Sequence, residues 1–297
     1  MVDLTIKALL ADAIKKMEAR QNNNPYLDAQ LLLAHVIGKD RTFVMTHMGY
    51  KLTESEGATY NNLIVKRNEG YPIQYILNRQ EFMGLDLYIR EGVLIPRADT
   101  ENIVEAVISI VREKFDRFDE VKILDIGTGS GAIGCSLAHF LPKSVVDGID
   151  ISPLAIDVAT INKEKFKLNN YRIYKMNIFD DICQVLKGYH VIISNPPYIP
   201  SDEINGLQKE VSEYEPRLAL DGGINGLDYY ERIIHIFNQL AANKAILAFE
   251  CGWDQKNTIE AMMHQRVPFE RIETIKDLSG NDRGLIGFYR ILSVKLL

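Results

Sequence analysis

Four consecutive residues, Asn195-Pro196-Pro197-Tyr198, combine an amide and an aromatic ring with two prolines. They follow residues 191–194, a short β-branched run that is typical of a buried strand. Because proline cannot donate to a sheet or a helix and holds the preceding residue extended, the chain must leave the sheet there with Asn195 in a fixed direction. Ligands of open α/β sheets bind at this end of the strands. The Asn-Pro-Pro-Tyr turn (residues 195–198) is therefore a candidate site, with a plain strand-capping turn as the structural alternative.

Such a turn can present a planar nitrogen group for a transfer reaction. The nitrogen of an amide or of a ring-conjugated amine is a poor nucleophile because its lone pair is delocalised. Asn195 Oδ1 and the Pro196 carbonyl oxygen can accept both N–H hydrogens and fix the plane of the group, and Tyr198 can cover it and exclude water. With a reaction partner that is already electrophilic, alignment and desolvation would supply most of the catalysis.

A glycine-rich loop, Asp125-Ile126-Gly127-Thr128-Gly129-Ser130-Gly131, joins the first predicted parallel strand to a helix. Glycines let the backbone approach a ligand, and the helix N-terminus offers free amides. Gly129-x-Gly131-x-x-Gly134 matches the dinucleotide fingerprint, whereas the spacing of Asp125 and the first three glycines is that of S-adenosylmethionine (SAM) methyltransferases. Asp150, about 20 residues on, can accept both ribose hydroxyls of either ligand. The loop alone does not choose between them.

The third predicted strand ends in Asn177-Ile178-Phe179. Asn177 can pair with the exocyclic amine of adenine while Ile178 or Phe179 covers a face of the ring. A strand-end cap followed by core residues is an equally good interpretation of the same three residues.

Strand and helix patterns alternate from residue 121, which favours a mostly parallel sheet with helices on both faces. The predicted strands cover residues 121–125, 145–150, 172–175, 191–194 and 244–250, and the predicted helices cover residues 131–140, 153–167, 226–242 and 254–266. Two closing strand-like runs, residues 269–275 and 284–292, predict a final antiparallel pair and bring the sheet to seven strands.

The preceding residues are predicted to form a helical bundle. Apolar residues recur at helical spacing, Pro25 begins a helix that Gly38 ends, and Thr53 with Glu56 makes a capping box. We expect three segments, a helical bundle for partner recognition over residues 1–80, a β-hairpin linker over 81–96 with its turn near Gly84, and an α/β domain over 97–297. Asp99 or Thr100 is predicted to cap the first helix of that domain.

Composition narrows the class of protein. With 46% hydrophobic and 25% charged residues, the 297-residue chain has the make-up of a soluble globular protein with room for two cores. Its net charge of −6 argues against a main affinity for nucleic-acid phosphates. The three cysteines and six histidines are scattered, so we expect neither a disulfide framework nor a metal site. The sequence shows no leader pattern and no membrane-length apolar run, which predicts a cytoplasmic protein without membrane contact.

An ordered set of motifs extends from residue 72 to residue 252. The motifs are residues 72–77 (PIQYIL), 82–85 (FMGL), 93–101 (VLIPRADTE), 123–131 (ILDIGTGSG), 195–198 (NPPY), 215–223 (EPRLALDGG) and 250–252 (ECG). On these motifs the chain resembles the HemK/PrmC family, the N5-glutamine methyltransferases that modify peptide chain release factors. It departs from the family pattern at Asn78, where glycine is usual, at Ala98, where proline is common, and at Asn177, where aspartate is usual.

The resemblance implies a class I, Rossmann-like SAM-dependent methyltransferase domain that follows a small helical bundle and a β-hairpin. It also implies that the methyl group goes from SAM, leaving S-adenosyl-L-homocysteine, to the glutamine of the Gly-Gly-Gln loop of release factors, which modulates translation termination. In the family the Asn-Pro-Pro-Tyr turn holds this glutamine and the bundle helps to grip the factor. The implied SAM contacts are Gly127, Thr128, Gly129, Ser130, Gly131, Asp150, Ile151, Asn177, Ile178 and Asn195.

Three other functions remain open on the residues alone. An amino-methyltransferase acting on adenine in DNA or RNA also uses such a turn, but the acidic charge weighs against it. An NAD-linked oxidoreductase would use the glycine loop but leaves the turn and the closing antiparallel pair unexplained. A binding protein that has lost activity is disfavoured by the intact turn.

Overall fold

The structure, a computed structural model, describes residues 3–18, 24–115, 120–277 and 279–290. Its helices are α1 (Ile6–Glu18), α2 (Pro25–Ile37), α3 (Arg41–Thr46), α4 (Glu54–Asn68), α5 (Ile73–Leu77), α6 (Ala98–Lys114), α7 (Ala132–Phe140), α8 (Pro153–Lys165), α9 (Lys209–Ser212), α10 (Asp228–Leu240) and α11 (Lys256–Arg266). Its strands are β1 (Arg79–Phe82), β2 (Leu85–Tyr88), β3 (Val121–Ile126), β4 (Ser144–Asp150), β5 (Tyr171–Lys175), β6 (Tyr189–Ser194), β7 (Ala241–Glu250), β8 (Arg271–Lys276) and β9 (Asp282–Tyr289). The predicted elements are confirmed apart from small shifts at their ends, and residues 291 and 292 of the last predicted strand lie outside the described residues.

The chain forms two compact units. The helical unit comprises residues 1–78 together with residues 209–214, and the α/β unit comprises residues 79–208 and 215–297. The predicted hairpin is confirmed within the α/β unit, where β1 pairs with β2 around Met83 and Gly84. The division at residues 80 and 96 by role, with the bundle as the recognition module, stays a prediction.

Local signals in the helical unit correspond to the observed helix ends. Helix α2 begins at Pro25 and ends before Gly38, whose φ of +63° is left-handed. Both hydrogen bonds of the predicted capping box between Thr53 and Glu56 are present at the start of α4. Asn78 ends α5 with a φ of 52°, a conformation that asparagine tolerates better than most residues, which accounts for its presence where the family usually has glycine.

A buried ion pair network holds residues 209–214 within the helical unit. The Arg67 guanidinium is 2.6 Å from the Asp28 carboxylate and 2.7 Å from the Glu210 carboxylate. Only 6% of the Arg67 side chain is exposed, so loss of either acid would leave a buried charge poorly compensated. This segment follows the Asn-Pro-Pro-Tyr turn in sequence, yet it belongs to the helical unit.

The α/β unit contains a seven-stranded sheet of order β5-β4-β3-β6-β7-β9-β8. Pairs among β3 to β7 are parallel, and β9 runs antiparallel to both β7 and β8. After β5 the chain crosses to the other side of β3, so Ile126 of β3 lies beside Ser194 of β6. Such a reversal opens a crevice at the carboxyl ends of the strands. The predicted α/β fold with a seven-stranded, mostly parallel sheet is confirmed.

An apolar core makes these strand ends rigid. Residues 191–193 of β6 are fully buried, and Ile192 belongs to the same cluster as the fully buried Tyr230, Ile233 and Phe237 of α10. Each fully buried large apolar side chain contributes about 1.5–3 kcal/mol to folding. The β6 strand that presents the Asn-Pro-Pro-Tyr turn is therefore anchored on its buried side.

The first helix of the α/β unit begins differently from the prediction. Neither Asp99 nor Thr100 caps α6; the N-cap is Arg97, without a side-chain cap bond, and both predicted caps lie in the first turn. The Thr100 hydroxyl instead donates to Glu250 Oε2 at 2.5 Å, and the Asp99 carboxylate lies 3.4 Å from Arg283 Nε. The capping prediction is wrong because partners distant in sequence engage both side chains.

Candidate active site

The carboxyl ends of β3, β4 and β6 open into one cleft of about 270 Å³. Ten residues singled out from the sequence line it, namely Gly127, Gly129, Asp150, Ile151, Asn177, Ile178, Phe179, Asn195, Pro196 and Pro197. We call residues 125–131, 150–152 and 177–179 the glycine-loop half, and residues 194–198 with Thr100 and Glu250 the Asn-Pro-Pro-Tyr half. The fold therefore brings the two predicted parts of the site together, while each residue's contact with a ligand stays a prediction.

Four other predicted site residues, Thr128, Ser130, Gly131 and Tyr198, are not among the residues that line the cleft. Thr128 and Ser130 are buried, and the Ser130 carbonyl accepts a hydrogen bond from Asn162 Nδ2 at 2.9 Å. Gly131 is the N-cap of α7 with a left-handed φ of 81°. Tyr198 is half-buried at the end of the turn, and burial raises its pKa to about 12, so its phenol is neutral near neutral pH.

The glycines of the loop serve two different needs. Gly127 and Gly129 adopt left-handed φ values of 74° and 56°, and a Cβ added at Gly127 would meet nothing within 4 Å. Their backbone is thus open towards a ligand in a conformation that favours glycine. A Cβ added at Gly134 or Gly148 would instead collide with the buried Tyr171 side chain. The third glycine of the dinucleotide-like spacing therefore serves packing.

Asp125 holds the glycine loop in shape from below. Its Oδ2 accepts hydrogen bonds from the Thr128 hydroxyl at 2.5 Å and from Gly134 N at 3.0 Å. Burial raises the pKa of Asp125 to about 7, against the effect of these two bonds. Its buried Oδ1 has no hydrogen-bond partner among the described residues. Asp125 is 0% exposed and does not line the cleft, so its part in the site is to hold the loop.

Asp150 ends β4 at the opposite side of the loop. Its Oδ2 accepts from Gly129 N and its Oδ1 from Ser152 N, both at 2.9 Å. Burial raises the pKa of Asp150, and these backbone bonds oppose the rise. Each carboxylate oxygen keeps a further lone pair for a donor in the cleft, so Asp150 suits a pair of ribose hydroxyls.

The Asn177-Ile178-Phe179 segment combines features of both sequence interpretations. Asn177 Oδ1 accepts a hydrogen bond from Phe179 N at 3.1 Å, which is the predicted local cap. Ile178 is buried, while Phe179 is half exposed and meets Tyr229 edge to face with ring centroids 5.3 Å apart. Asn177, Ile178, Phe179 and Tyr229 all line the cleft. They offer apolar surface for a flat ring beside a polar group.

The Asn-Pro-Pro-Tyr turn is held from both ends. Before it, the Ser194 hydroxyl donates to the Ile126 carbonyl at 2.7 Å and joins β6 to β3. After it, Gln255 Nε2 donates to the Tyr198 carbonyl at 2.8 Å. A Cβ added at Gly226 would collide with that same carbonyl, so the neighbouring backbone confines the turn closely.

The Asn195 side chain is bonded towards the interior of the α/β unit. Its Nδ2 donates to Thr100 Oγ1 at 3.3 Å, and the Thr100 hydroxyl donates to Glu250 Oε2 at 2.5 Å. The nearby Asn195 amide also acts to lower the pKa of Glu250. Glu250 is 3% exposed, and burial raises its pKa to about 7 despite the Thr100 bond.

Sequence reasoning gave no site role to four of these residues. The sequence patterns predict a helix cap at Thr100 and place Glu250 in a motif without an assigned role. Asp125 is only the first residue of the loop pattern, and no pattern points to Tyr229. The fixed spacing between Asp125 and the glycines of the loop is a sequence signal that could identify Asp125 as part of the site. No local pattern connects Thr100 or Glu250 to Asn195, because they are 95 and 55 positions away.

Other kinds of site find little support in the part of the chain that the structure describes. No described helix is long and apolar enough to span a membrane. Within the described ranges, no three His, Cys, Asp or Glu side chains are grouped to hold a metal ion. The three cysteines are free, and burial raises the pKa of the Cys135 and Cys251 thiols.

Comparison with known proteins covers both units. A family model described as the PrmC N-terminal domain matches residues 8–77, and one described as the methyltransferase small domain matches residues 104–218. A release factor glutamine methyltransferase of Clostridium acetobutylicum is 37% identical over 281 residues, or 94% of this chain and 97% of the relative. One of Moorella thermoacetica is 35% identical over 289 residues, or 97% of this chain and 99% of the relative. Among solved structures, the human methyltransferase 10 domain containing protein aligns over 72% of this chain and 92% of its own, with 19% identity and a TM-score of 0.49.

Proposed function

Because the chain belongs to the family of release factor glutamine methyltransferases, we propose that it methylates a peptide chain release factor in the cytoplasm. The methyl group goes from SAM to N5, the side-chain amide nitrogen of the glutamine in the factor's Gly-Gly-Gln loop, and the modification tunes translation termination. The observation that carries the proposal is the shared cleft of the glycine loop and the Asn-Pro-Pro-Tyr turn. One half suits the methyl donor and the other a planar amide.

The glycine-loop half has the groups that SAM requires. Asp150 offers two carboxylate oxygens to the ribose hydroxyls, and the Gly127 backbone is open to the ligand. Asn177 with Ile178 offers polar and apolar contact to adenine. SAM bound there supplies a methyl group on a positively charged sulfur, which makes that carbon strongly electrophilic.

The Asn-Pro-Pro-Tyr half fixes and desolvates the glutamine amide. Asn195 Oδ1 and the Pro196 carbonyl oxygen accept its two N–H hydrogens and hold its plane. The neutral Tyr198 ring covers the amide and excludes water. With SAM bound, the amide nitrogen would form the new C–N bond as the C–S bond breaks, and the proton that it loses would pass to solvent as the product leaves the cleft. Alignment of this kind can supply up to about 7–11 kcal/mol of the barrier reduction, so no strong base is needed.

We assign contact with the release factor to the helical unit as well as to the cleft. Residues 8–77 match the PrmC N-terminal domain, and the unit's residues contribute nothing to the cleft lining described above. The net charge of −6 favours a protein partner over stable nucleic-acid binding. The absence of a membrane-length helix among the described residues is compatible with this assignment.

Transfer of labelled methyl groups tests the proposed function. The purified protein is incubated with methyl-labelled SAM and either a wild-type bacterial release factor or a factor whose loop glutamine is replaced by alanine. We expect label on the wild-type factor only, at N5 of that glutamine by mass spectrometry. Label that persists on the alanine factor, or label on RNA or DNA instead, would overturn the assignment.

A further inference from the structure

Asn195 can act on a substrate amide only if the correct end of its own amide faces the cleft. Its oxygen and nitrogen ends are nearly equal in size, so shape alone does not choose between them. To accept an N–H hydrogen from glutamine, Oδ1 must face the cleft and Nδ2 must point inward. Something in the fold has to favour this orientation over the one rotated by a half turn.

The negative charge of Glu250 sets which group donates and which accepts in the hydrogen bonds that reach Asn195. An ionised carboxylate can only accept hydrogen bonds, so the Thr100 hydroxyl must donate its single hydrogen to Glu250. The Thr100 oxygen then has only lone pairs left for Asn195, which must present Nδ2 to it. Each bond of this orienting chain (Asn195, Thr100 and Glu250) is thus fixed in polarity by the acid at its end.

We propose that Thr100 and Glu250 are positioning residues for methyl transfer, which turn the Asn195 amide so that Oδ1 faces the substrate nitrogen. The inference rests on the proposed function, since it concerns how Asn195 serves that reaction. Neither residue is assigned a contact with the reacting atoms. Both act through Asn195.

The surroundings of Glu250 fit orientation better than stabilisation. A buried carboxylate is costly unless it is well paired, and a neutral or apolar residue would usually serve folding as well. Arg283, whose positive charge acts to lower the pKa of Glu250, is within ion-pair distance of Asp99 and Asp277 instead. The Thr100 hydroxyl bonds Glu250 and does not cap its own helix, α6. The hydrogen bonds of Thr100 and Glu250 therefore fit the orientation of the Asn195 amide better than helix capping or a purely structural role.

The first test removes or keeps the Thr100 hydroxyl. Thr100→Val is nearly isosteric but cannot hydrogen-bond Glu250 or Asn195, whereas Thr100→Ser keeps the hydroxyl. We expect T100V to lower kcat for the release factor about 10-fold or more, with the Kd for SAM and the KM for the factor within about 3-fold of wild type. T100S should retain kcat within about 3-fold. Equal kcat for T100V and wild type, or equal losses in T100V and T100S, would overturn the proposal.

The second test reverses the polarity of the chain. Asn195→Asp alone places a second acceptor-only group before Thr100 and Glu250, and we expect kcat to fall about 100-fold or more. Adding Glu250→Gln lets the new amide donate to Thr100, whose hydroxyl can then donate to the aspartate introduced at position 195. The free oxygen of that aspartate again faces the substrate. We expect N195D/E250Q to exceed N195D in kcat by about 10-fold, although E250Q alone lowers kcat.

A pH profile separates orientation from structure. The pKa of Glu250 lies near 7, and its protonated form can donate a hydrogen bond. The hydrogen bonds among Asn195, Thr100 and Glu250 can then form with either polarity. At saturating SAM we expect the kcat of wild type to fall as pH drops through about 7, and E250Q to lack this dependence. The charged groups that act on Glu250 are Asp99 and Arg283, and the other titratable groups facing it are Tyr198, Tyr230 and Cys251. Burial raises the pKa of each of the last three, so they stay neutral over this range.

Asp147→Asn is the matched control. Asp147 is a buried carboxylate of the same sheet that bonds Arg172 and Tyr189 outside the cleft. D147N should lower stability without changing the pH profile of kcat.

If N195D/E250Q is no more active than N195D, or if E250Q keeps the wild-type profile, the positioning role is wrong. Failure of wild type to methylate the factor would instead refute the proposed function, so the two failures are distinguishable.

Discussion

The two halves of the cleft are built by different physical means. The glycine-loop half is mainly backbone, with Gly127 and Gly129 in left-handed conformations over a buried Asp125. The glycine loop itself covers only residues 125–131, whereas residues 150–152 and 177–179 of this half follow two later strands. The Asn-Pro-Pro-Tyr half depends on one side chain, Asn195, whose partners Thr100 and Glu250 come from a distant helix and a distant strand. Local sequence can therefore specify the glycine loop, but only the assembled sheet brings Asn195 to Thr100 and Glu250.

This contrast has a consequence for substitutions. A backbone site is sensitive to added volume and to the loss of glycine, because the ligand and the packing both approach the main chain closely. A side-chain site is sensitive to changes of polarity that leave volume unchanged. Four predictions, from the largest expected effect to the smallest, separate the halves on this basis.

Removal of the Asn195 side chain should affect turnover and leave SAM binding intact. We expect Asn195→Ala to lower kcat for the release factor by about 100- to 1,000-fold, because a preorganised acceptor for the substrate amide is lost. The Kd for SAM, measured by calorimetry, should stay within about 3-fold of wild type. A parallel loss of SAM affinity would show that the two halves are not separable.

Neutralising Asp150 should produce the opposite pattern. Asp150→Asn keeps the volume but replaces one acceptor oxygen by a donor, so at least one ribose hydroxyl loses its partner. We expect the Kd for SAM to rise about 10- to 100-fold, with kcat at saturating SAM within about 3-fold of wild type. Asp147→Asn, outside the cleft, should leave the Kd unchanged. A fall in kcat without weaker SAM binding would contradict the assignment of Asp150.

Volume added beneath the glycine loop should destabilise the α/β unit. A Cβ at Gly134 would collide with the buried Tyr171 side chain, so Gly134→Ala is expected to lower the free energy of unfolding by about 1–3 kcal/mol in denaturant titrations. Gly206→Ala is the matched control, because a Cβ there meets nothing within 4 Å and its φ is not left-handed; its effect should stay within about 0.5 kcal/mol. Equal stabilities of the two variants would contradict the packing role of Gly134.

The buried acid of the glycine-loop half should make stability depend on pH. The pKa of Asp125 is about 7 in the folded protein against 3.8 as the unperturbed value, so between these values only the folded state holds the proton. Stability is therefore highest below about pH 4 in respect of this group and is lost as pH rises through 7. Between about pH 6 and 8 the loss amounts to about 1 kcal/mol.

Asp125→Asn isolates that contribution. The variant cannot ionise there, so its free energy of unfolding should fall less steeply than that of wild type over the same pH range. Glu250 has a similar raised pKa in the other half, and the slope that remains in D125N should flatten further in D125N/E250Q. A D125N slope identical to that of wild type would show that Asp125 is ionised throughout.

Much of the fold was predictable because its signals are local. Pro25 and Gly38 bound a helix, and Thr53 with Glu56 begins another, through contacts within a few residues. The sheet strands were predictable because fully buried parallel strands read as continuous apolar runs. The predicted caps of α6 failed because Asp99 and Thr100 have better partners far along the chain. A local rule cannot weigh a competitor that is more than a hundred residues away.

The sequence by itself determined two short motifs, a glycine loop that fits either a dinucleotide or SAM and a stiff Asn-Pro-Pro-Tyr turn for a planar nitrogen. The geometry of each follows from glycine and proline. Tertiary structure decided that Ile126 and Ser194 lie side by side, so that both motifs open into one cleft. It alone also decided which way Asn195 faces. That orientation depends on a charge at Glu250, and hydrogen-bond polarity passes between residues only when the folded chain brings them into contact.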